Sequence, residues 1–410
     1  MLKKSVSLFV SLLMIVGVFS LTAATASAKG IEKKAKLKLY VPDAEVSYAK
    51  KIAKSFIKKY KKKKIKIKIK AQSEPDAGTM LLADGENAAD VAAVSSDQIL
   101  NLVRAKVISP VKKPSAIKKS ELKNSVSAFT VKKKLYASPR SCQSYCLVYD
   151  KSVVSEENSK TLEGVLEACK EQEKKFIMDA GNGYYSCIFL FTGGLRLTGL
   201  EKDGYTQKFN KYDADTVAET MKAFSILFHK YKSVFDNKSV SWISSGFTQT
   251  SNRKSTCAAG IDGIWDYAAC KAALGEKFGA AKLPTINVNG KDRQMVNMFN
   301  YTGYVVNKYT KYPKASQALM KYLGKKSSQK KRISYIMPTN KALLNSKHLK
   351  NPMMKALYQQ EKYSVAQAST GTIWDPFGNL GSKLVSKKTN PETYDFKKLL
   401  KNTINTVLDR

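Results

Sequence analysis

The side chains that most often do chemistry are scarce in this chain. Its 410 residues hold two histidines, His229 and His348. His229 sits in KAFSILFHKY, the apolar face of an amphipathic stretch, and reads as structural. A Ser-His-Asp triad would have no G-x-S-x-G elbow to stand on. The run from Gly194 to Gly199 lacks the Lys-Ser/Thr that completes a phosphate loop, and Asp213-Ala-Asp215 lacks the Gly and Glu of a calcium loop. The six cysteines include no C-x-x-C pair. Cys142 and Cys146 are expected on one strand and one face, ~13 Å apart and too far to bridge. Most of the six sit among apolar neighbours and read as buried free thiols. No cofactor and no metal site is expected. Paired carboxylates for glycoside hydrolysis are the one enzymatic chemistry that sequence leaves open.

The stretch that does stand out is CAAGIDGIWDY, residues 257–267. Its small apolar start reads as a buried strand, Asp262-Gly263 as a turn, and 268–274 as a helix. Trp265 is thereby presented where a strand hands over to a helix. Open α/β folds place their ligands at such handovers.

The flanking elements follow from hydrophobic period. Residues 36–41 (KLKLYV) alternate, 45–60 repeat at helical spacing, and 65–70 (IKIKIK) alternate strictly, with Ile65, Ile67 and Ile69 inward. That is a strand–helix–strand opening, as in a βαβ unit. ADVAAVS, 89–95, reads as a strand buried on both faces. Residues 79–83 and 97–105 read as helices, 142–149 as one strand and 161–174 as a helix. A glycine loop at 181–183 carries Tyr184 and Tyr185. Residues 214–231 form a long amphipathic helix, 298–308 a returning strand, and 353–363 and 396–408 terminal helices. Trp242 and Trp374 are expected in loops.

The first 28 residues read as a secretory leader: Lys3 and Lys4, an apolar run over 8–21, then Ala26-Ser27-Ala28. Lys29 and Gly30 follow, so there is no lipobox cysteine. The chain is expected to be exported, and to be extracellular, wall-associated or periplasmic. What remains exceeds one core, and two domains are the default. The net charge is +38, or +36 without Lys3 and Lys4. The lysines are spread along the chain, with no nucleic-acid-binding signature beside them. A solvated basic surface is expected instead, with electrostatic attraction to an anionic cell wall as its sharper form.

In order, KLKLYVP plus helix, IKIKIK, ADVAAVSSDQ, KLYASPRSCQSYCLVYDKSVV, AAGIDGIWDYAA, MFNYTGYVVNK and WDPFGNLG resemble the extracellular solute-binding proteins of family 1, nearest the maltose/maltodextrin branch. The resemblance covers nearly all of 36–410. It implies a two-lobed α/β fold of the periplasmic-binding-protein type II, closing on a sugar. About three hinge segments would cross, near 138–141, 296–300 and 339–344. The lobes would be 29–139 with 298–343, and 140–297 with 344–410. A monomer that captures an oligosaccharide and hands it to the permease subunits of an ABC importer is implied.

The resemblance also implies site residues. Trp265 occupies the family's stacking position, Trp374 fits its late aromatic, and Tyr184, with Tyr185 as rival, fits the aromatic of the glycine loop. Asp97 fits the acid after the third strand, and Asp43 or Glu45 the N-terminal acidic contact. The chain departs from the pattern at Gln98, where an Arg usually stands, at Gln143, which replaces an acid, and at Val94-Ser95, where an aromatic is missing. These departures leave the sugar open. So does the alternative of a non-sugar or anionic solute on the same fold. Flat aromatics would cover sugar CH faces, and Asp97, Gln98, Gln143, Arg140 and Asp262 or Asp266 would meet the hydroxyls.

Overall fold

The computed structural model describes residues 30–252, 254–334, 336–345, 347–367 and 371–408. The leader expected over 1–28 lies outside them. Two sheets carry the chain. The first has seven strands: β1 (Lys36–Val41), β2 (Lys66–Ala71), β3 (Val91–Ser95), β4 (Ile108–Ser109), β5 (Ala137–Gln143), β11 (Met298–Asn307) and β12 (Val365–Ala366). Along it the order is β12-β11-β3-β1-β2, with β4 and β5 also on β11. Between them run α1 (Val46–Lys59), α2 (Glu74–Ala83) and α3 (Ile99–Arg104). The second sheet has β6 (Tyr145–Asp150), β7 (Lys175–Ile177), β8 (Phe235–Asp236), β9 (Cys257–Gly263) and β10 (Phe278–Ala281), in the order β8-β7-β9-β6-β10. This is the two-lobed α/β architecture that the motif order implies.

The local reasons are those of the pattern. In α1, Tyr48, Ala49, Ile52, Ala53 and Phe56 recur on one buried face. All five residues of β3 are buried, as a central strand covered on both faces requires. In β2 the lysines face water, and Ile67 and Ile69 pack inward beside buried Ile65. Charged side chains on this edge strand protect it from other chains. Around the second sheet, α4 (Leu162–Glu171), α5 (Gly183–Phe191), α6 (Ala214–Lys230), α11 (Trp374–Leu384) and α12 (Phe396–Leu408) share one apolar core. The other face is covered by α7 (Ser241–Phe247), α8 (Tyr267–Leu274) and α10 (Pro352–Glu361). The helix α9 (Pro313–Gly324) returns to the first sheet.

Several elements differ from expectation. Trp242 opens α7 and Trp374 opens α11, where loops were expected. Helix α2 begins at Glu74, five residues early, because Ser73 caps it and Pro75 suits its first turn. Cys142 and Cys146 stand on two strands in different sheets, β5 and β6. The chain changes sheets at Ser144, beyond the expected 138–141 crossing, because 141–143 still pair with β11. All six cysteines are buried free thiols.

The sheets are joined around Asn297, which is fully buried. Its amide nitrogen donates to Ser144 Oγ and to the Tyr145 carbonyl, both at 2.9 Å. Its Oδ1 accepts from Ser364 Oγ at 2.6 Å and Gln360 Nε2 at 3.3 Å, and its carbonyl accepts from the Val365 N–H at 2.9 Å. Ser144 Oγ in turn donates to the Met298 carbonyl. One side chain thus ties three passages of the chain. Asn297→Ala would remove four side-chain hydrogen bonds and leave buried partners unpaired, an expected cost of about 2–4 kcal/mol. Urea unfolding of the variant checks this; a loss under about 0.5 kcal/mol would show that the crossings hold without it.

Candidate functional site

Strands β1, β2 and β3 are parallel, so the segments leaving them emerge on one edge of the first sheet. Strands β7 and β9 are likewise parallel, and their exits share one edge of the second. The residues singled out from sequence stand at these exits: Asp43 and Glu45 after β1, Asp97 and Gln98 after β3, Tyr184 and Tyr185 after β7, Trp265 after β9. Ligands of open α/β sheets bind outside such carboxyl ends.

On the second sheet the exits build an aromatic cluster. Tyr184 lies in the first turn of α5, where Asn182 Oδ1 accepts its N–H at 3.0 Å. Its ring centroid is 6.2 Å from Trp265 and 6.4 Å from Trp374. Tyr145, which sequence reasoning missed, packs edge-on against Tyr184 at 5.0 Å and donates its hydroxyl to the Tyr184 carbonyl. Trp265 is half exposed, at 50%. Two glycines permit this packing. A β-carbon at Gly263 would lie 2.0 Å from the Trp265 ring, and one at Gly183 would lie 2.2 Å from the Trp374 carbonyl oxygen. Tyr185 is only 4% exposed, its ring 4.9 Å from Tyr145, so it supports the cluster from beneath. Of the two tyrosine candidates, Tyr184 is the one nearer to solvent. Burial pushes the hydroxyls of Tyr145, Tyr184 and Tyr185 well up, so all three stay neutral donors.

On the first sheet the exits are polar. Asp97 Oδ2 accepts from Gln367 Nε2 at 3.3 Å, while Oδ1 is buried with no partner among the described residues. Burial raises the pKa of this carboxyl, and the Gln367 amide pulls it the other way. Gln143 ends β5, partly buried, opposite Asn300 of β11. Asn300 accepts from Ser95 Oγ at 2.8 Å. Asp43 is exposed on the turn after β1. The two groups adjoin the crossing at Ser144: Gln143 precedes it, and Tyr145, packed against Tyr184, follows it.

Comparisons with known proteins bear on the family and the fold. Residues 51–356 match the family described as bacterial extracellular solute-binding protein. The chain belongs to that family. It is 24% identical over 324 residues to the galactooligosaccharide-binding protein of Bacillus subtilis (strain 168), covering 74% of this chain and 73% of the relative. Among solved structures it is similar to the maltodextrin-binding protein MalE1 from L. casei BL23 without ligand. That match has a TM-score of 0.78 at 23% identity, over 91% of this chain and 99% of the other. It is also similar to MalX from Streptococcus pneumoniae in complex with maltopentaose. There the TM-score is 0.67 at 20% identity, over 91% and 99% of the two chains.

Four residues expected to contact ligand are occupied inside this solute-binding protein. Glu45 is 4% exposed and accepts from two fully buried guanidiniums, Arg140 at 2.5 Å and Arg332 at 2.8 Å. Burial pushes the Glu45 carboxyl up, but the two arginines outweigh it and hold it low. Arg140 also pairs with Glu74 at 2.5 Å, and Arg332 donates to the Arg140 carbonyl. Arg140 is therefore not free to meet a hydroxyl. Gln98 turns away and donates to the Pro75 carbonyl at 2.8 Å, its amide filling the space that Gly78 leaves. A buried salt-bridge network of this kind has no local sequence signal, since Arg332 lies 287 residues from Glu45.

Asp262 is the fourth. It is fully buried in β9, accepts from the Gly263 N–H at 2.6 Å, and lies 3.7 Å from Cys270 Sγ. Carboxylate oxygens of Asp262 and Asp266 and the Cys270 sulfur all lie within 4.8 Å. Burial, then the charge of Asp266, raises the Asp262 pKa from 3.8 to about 8. Both causes favour its protonated form, which can donate to Asp266. A group whose native pKa is raised this way keeps its proton while the unfolded chain loses it. Its contribution to stability therefore falls as pH rises from about 4 to about 8 and stays lost above. Asp262→Asn removes that term while keeping a donor to Asp266. Melting of the variant and wild type across pH 4–9 is expected to show a difference growing with pH towards a few kcal/mol in the variant's favour. A difference independent of pH would contradict a neutral Asp262.

Proposed function

We propose that this protein captures a neutral oligosaccharide between its lobes and delivers it to an ABC importer without chemically changing it. The observation that supports this most is the trio Trp265, Tyr184 and Trp374, spread at the exit edge of the second sheet with Trp265 half exposed. Apolar CH faces of successive sugar rings suit such a platform. Asp97 Oδ1, buried and without a partner among the described residues, suits a ligand hydroxyl, and Gln143, Asn300 and Asp43 stand on the same side. An unpaired buried acceptor is costly, so a donor from the ligand would be worth more there than on an open surface.

The charges argue for a neutral ligand over an anionic one. The arginines at the first lobe's exit edge are taken up by Glu45 and Glu74, and Asp97 is acidic. They also argue against glycoside hydrolysis. The close carboxyl pair, Asp262 and Asp266, has its first member fully buried, where no substrate would reach it. His229 is held between the carbonyls of Ser225 and Ser386, at 2.7 and 3.0 Å. We place the lobe boundaries at Ser144, at 295–297, and in the stretch between Leu343 and α10, with β12 returning to the first sheet's edge. Export by the leader over 1–28, without a lipobox cysteine, fits an extracellular family. No helix among the described residues is long and apolar enough to cross a membrane. The named sugars of the related proteins, galactooligosaccharide and maltopentaose, set the panel to test.

Trp265→Ala is expected to weaken binding of the bound sugar by about 30-fold, or about 2 kcal/mol, with the melting temperature little changed. Titration calorimetry with malto- and β-galacto-oligosaccharides checks it. Undiminished affinity would remove Trp265 from the site, and no binding to either series would remove the sugar. With the bound sugar at saturation, small-angle scattering is expected to show a smaller radius of gyration, as hinge closure requires; an unchanged radius would contradict closure.

A further inference from the structure

The lysines, spread evenly in sequence, are not even in space. Crossover helices carry them back to one place on the first lobe. A groove of about 470 Å³ runs between the C-terminus of α1, the loop after β4 and the outer face of α9. Six lysines line it: Lys59, Lys112, Lys113, Lys314, Lys321 and Lys325. No Asp or Glu lines it, and none of the six makes an ion pair among the described residues. Glu32, close by, is engaged with the N–H groups of Lys314 and Ala315. Lys61 to Lys64 continue the charge beside it.

The lysines are held there by more than chance exposure. Tyr322 carries Lys325 at 3.4 Å and Lys59 at 5.8 Å from its ring centre, and Tyr60 lies under Lys59 as well. Lys321 donates to the Lys112 carbonyl. Burial first, and then the charge of Lys113, lowers the Lys321 pKa. Like charges converge with no carboxylate lining the groove, so an anion there would be attracted. Lys314 and Lys321, two turns apart, fall on one face of α9, and Lys325 follows just past its C-terminus, a row ~16 Å long. A row of point charges fits a chain with repeated negative charge. Lysine ammonium is a phosphate binder, and a phosphodiester keeps its charge across the pH range of the cell exterior. No exposed large apolar side chain belongs to the groove, so nothing there would insert into a lipid layer. Helix α1 runs back from the exit edge of the sheet, and Gly30 and Ile31 precede β1. The groove therefore lies at the edge opposite the exits, clear of Asp97 and Asp43.

We propose that this groove is a docking site for a linear phosphodiester polymer of the cell envelope, which holds the protein while its cleft stays free. Immobilised poly(glycerol phosphate) tests it directly. The triple variant Lys112→Gln, Lys113→Gln, Lys321→Gln is expected to bind at least ~10-fold more weakly than wild type at about 0.05 M salt, where exposed charges are least screened. A second triple, Lys59→Gln, Lys314→Gln, Lys325→Gln, is expected to do the same, and melting temperatures of both verify folding. The control triple Lys202→Gln, Lys388→Gln, Lys401→Gln removes equal charge from other exposed positions and is expected to change binding by less than about 2-fold. Equal losses in groove and control triples would reduce the effect to net charge and overturn the proposal. So would capture by phosphatidylglycerol vesicles without capture by the polymer, or undiminished polymer binding by both folded groove triples.

Discussion

Everything else in this structure depends on how two sheets are joined through one buried amide. Each lobe has its own layers, and each could be described without the other. They meet where Asn297 hydrogen-bonds Ser144, Tyr145, Gln360, Ser364 and Val365. A carboxylate there would lack the donors, and an apolar side chain would lack both halves. An amide supplies two donors and an acceptor in one plane, which three converging backbones require. The joint is narrow: a single residue, Ser144, separates β5 from β6. A narrow joint between two rigid bodies is what allows hinge motion with few torsions.

The halves that the hinge joins are chemically unlike. The second lobe offers rings whose hydroxyls stay protonated, beside Asp262, whose pKa burial raises. The first offers Asp97, Gln143 and Asn300 over a layer of locked charge, Glu45 with Arg140 and Arg332. Buried ion pairs of this kind contribute little net stability but tolerate little change. Tyr304 and Tyr48 lie against the two guanidiniums, at 5.2 and 5.1 Å, so the layer is also packed. Its effect on the site is indirect: it fixes the turn after β1 and the start of α2 from below.

Much of this was legible in the residues. Alternation in IKIKIK and the mostly apolar β3 led to the first sheet, and CAAGIDGIWDY led to β9, its turn and Trp265. Residue type alone does not tell an exposed acid from a buried one, so Glu45 and Asp262 read as ligands. Their partners, Arg332 and Cys270, are set by tertiary packing. Tyr145 escaped notice because its role depends on Ser144 breaking what looks like one strand. Trp374 read as a loop residue, whereas it opens α11, whose first turn tolerates the proline at 376. The lysine groove was invisible because its members are separated by more than 250 residues and meet only through the crossovers.

The six thiols carry a consequence for how the chain matures. All lie between Cys142 and Cys270, and none is paired once the fold is complete. In an extracellular family the chain reaches an oxidising surrounding before its core has closed. During that interval six exposed thiols allow 15 complete pairings, every one of them foreign to the finished molecule. Burial is then the protection, and its speed matters more than its depth. The first 141 residues contain no sulfhydryl at all, so the portion that emerges first can begin to organise without that hazard. Maturation becomes a race between folding and oxidation, run only over the second third of the chain.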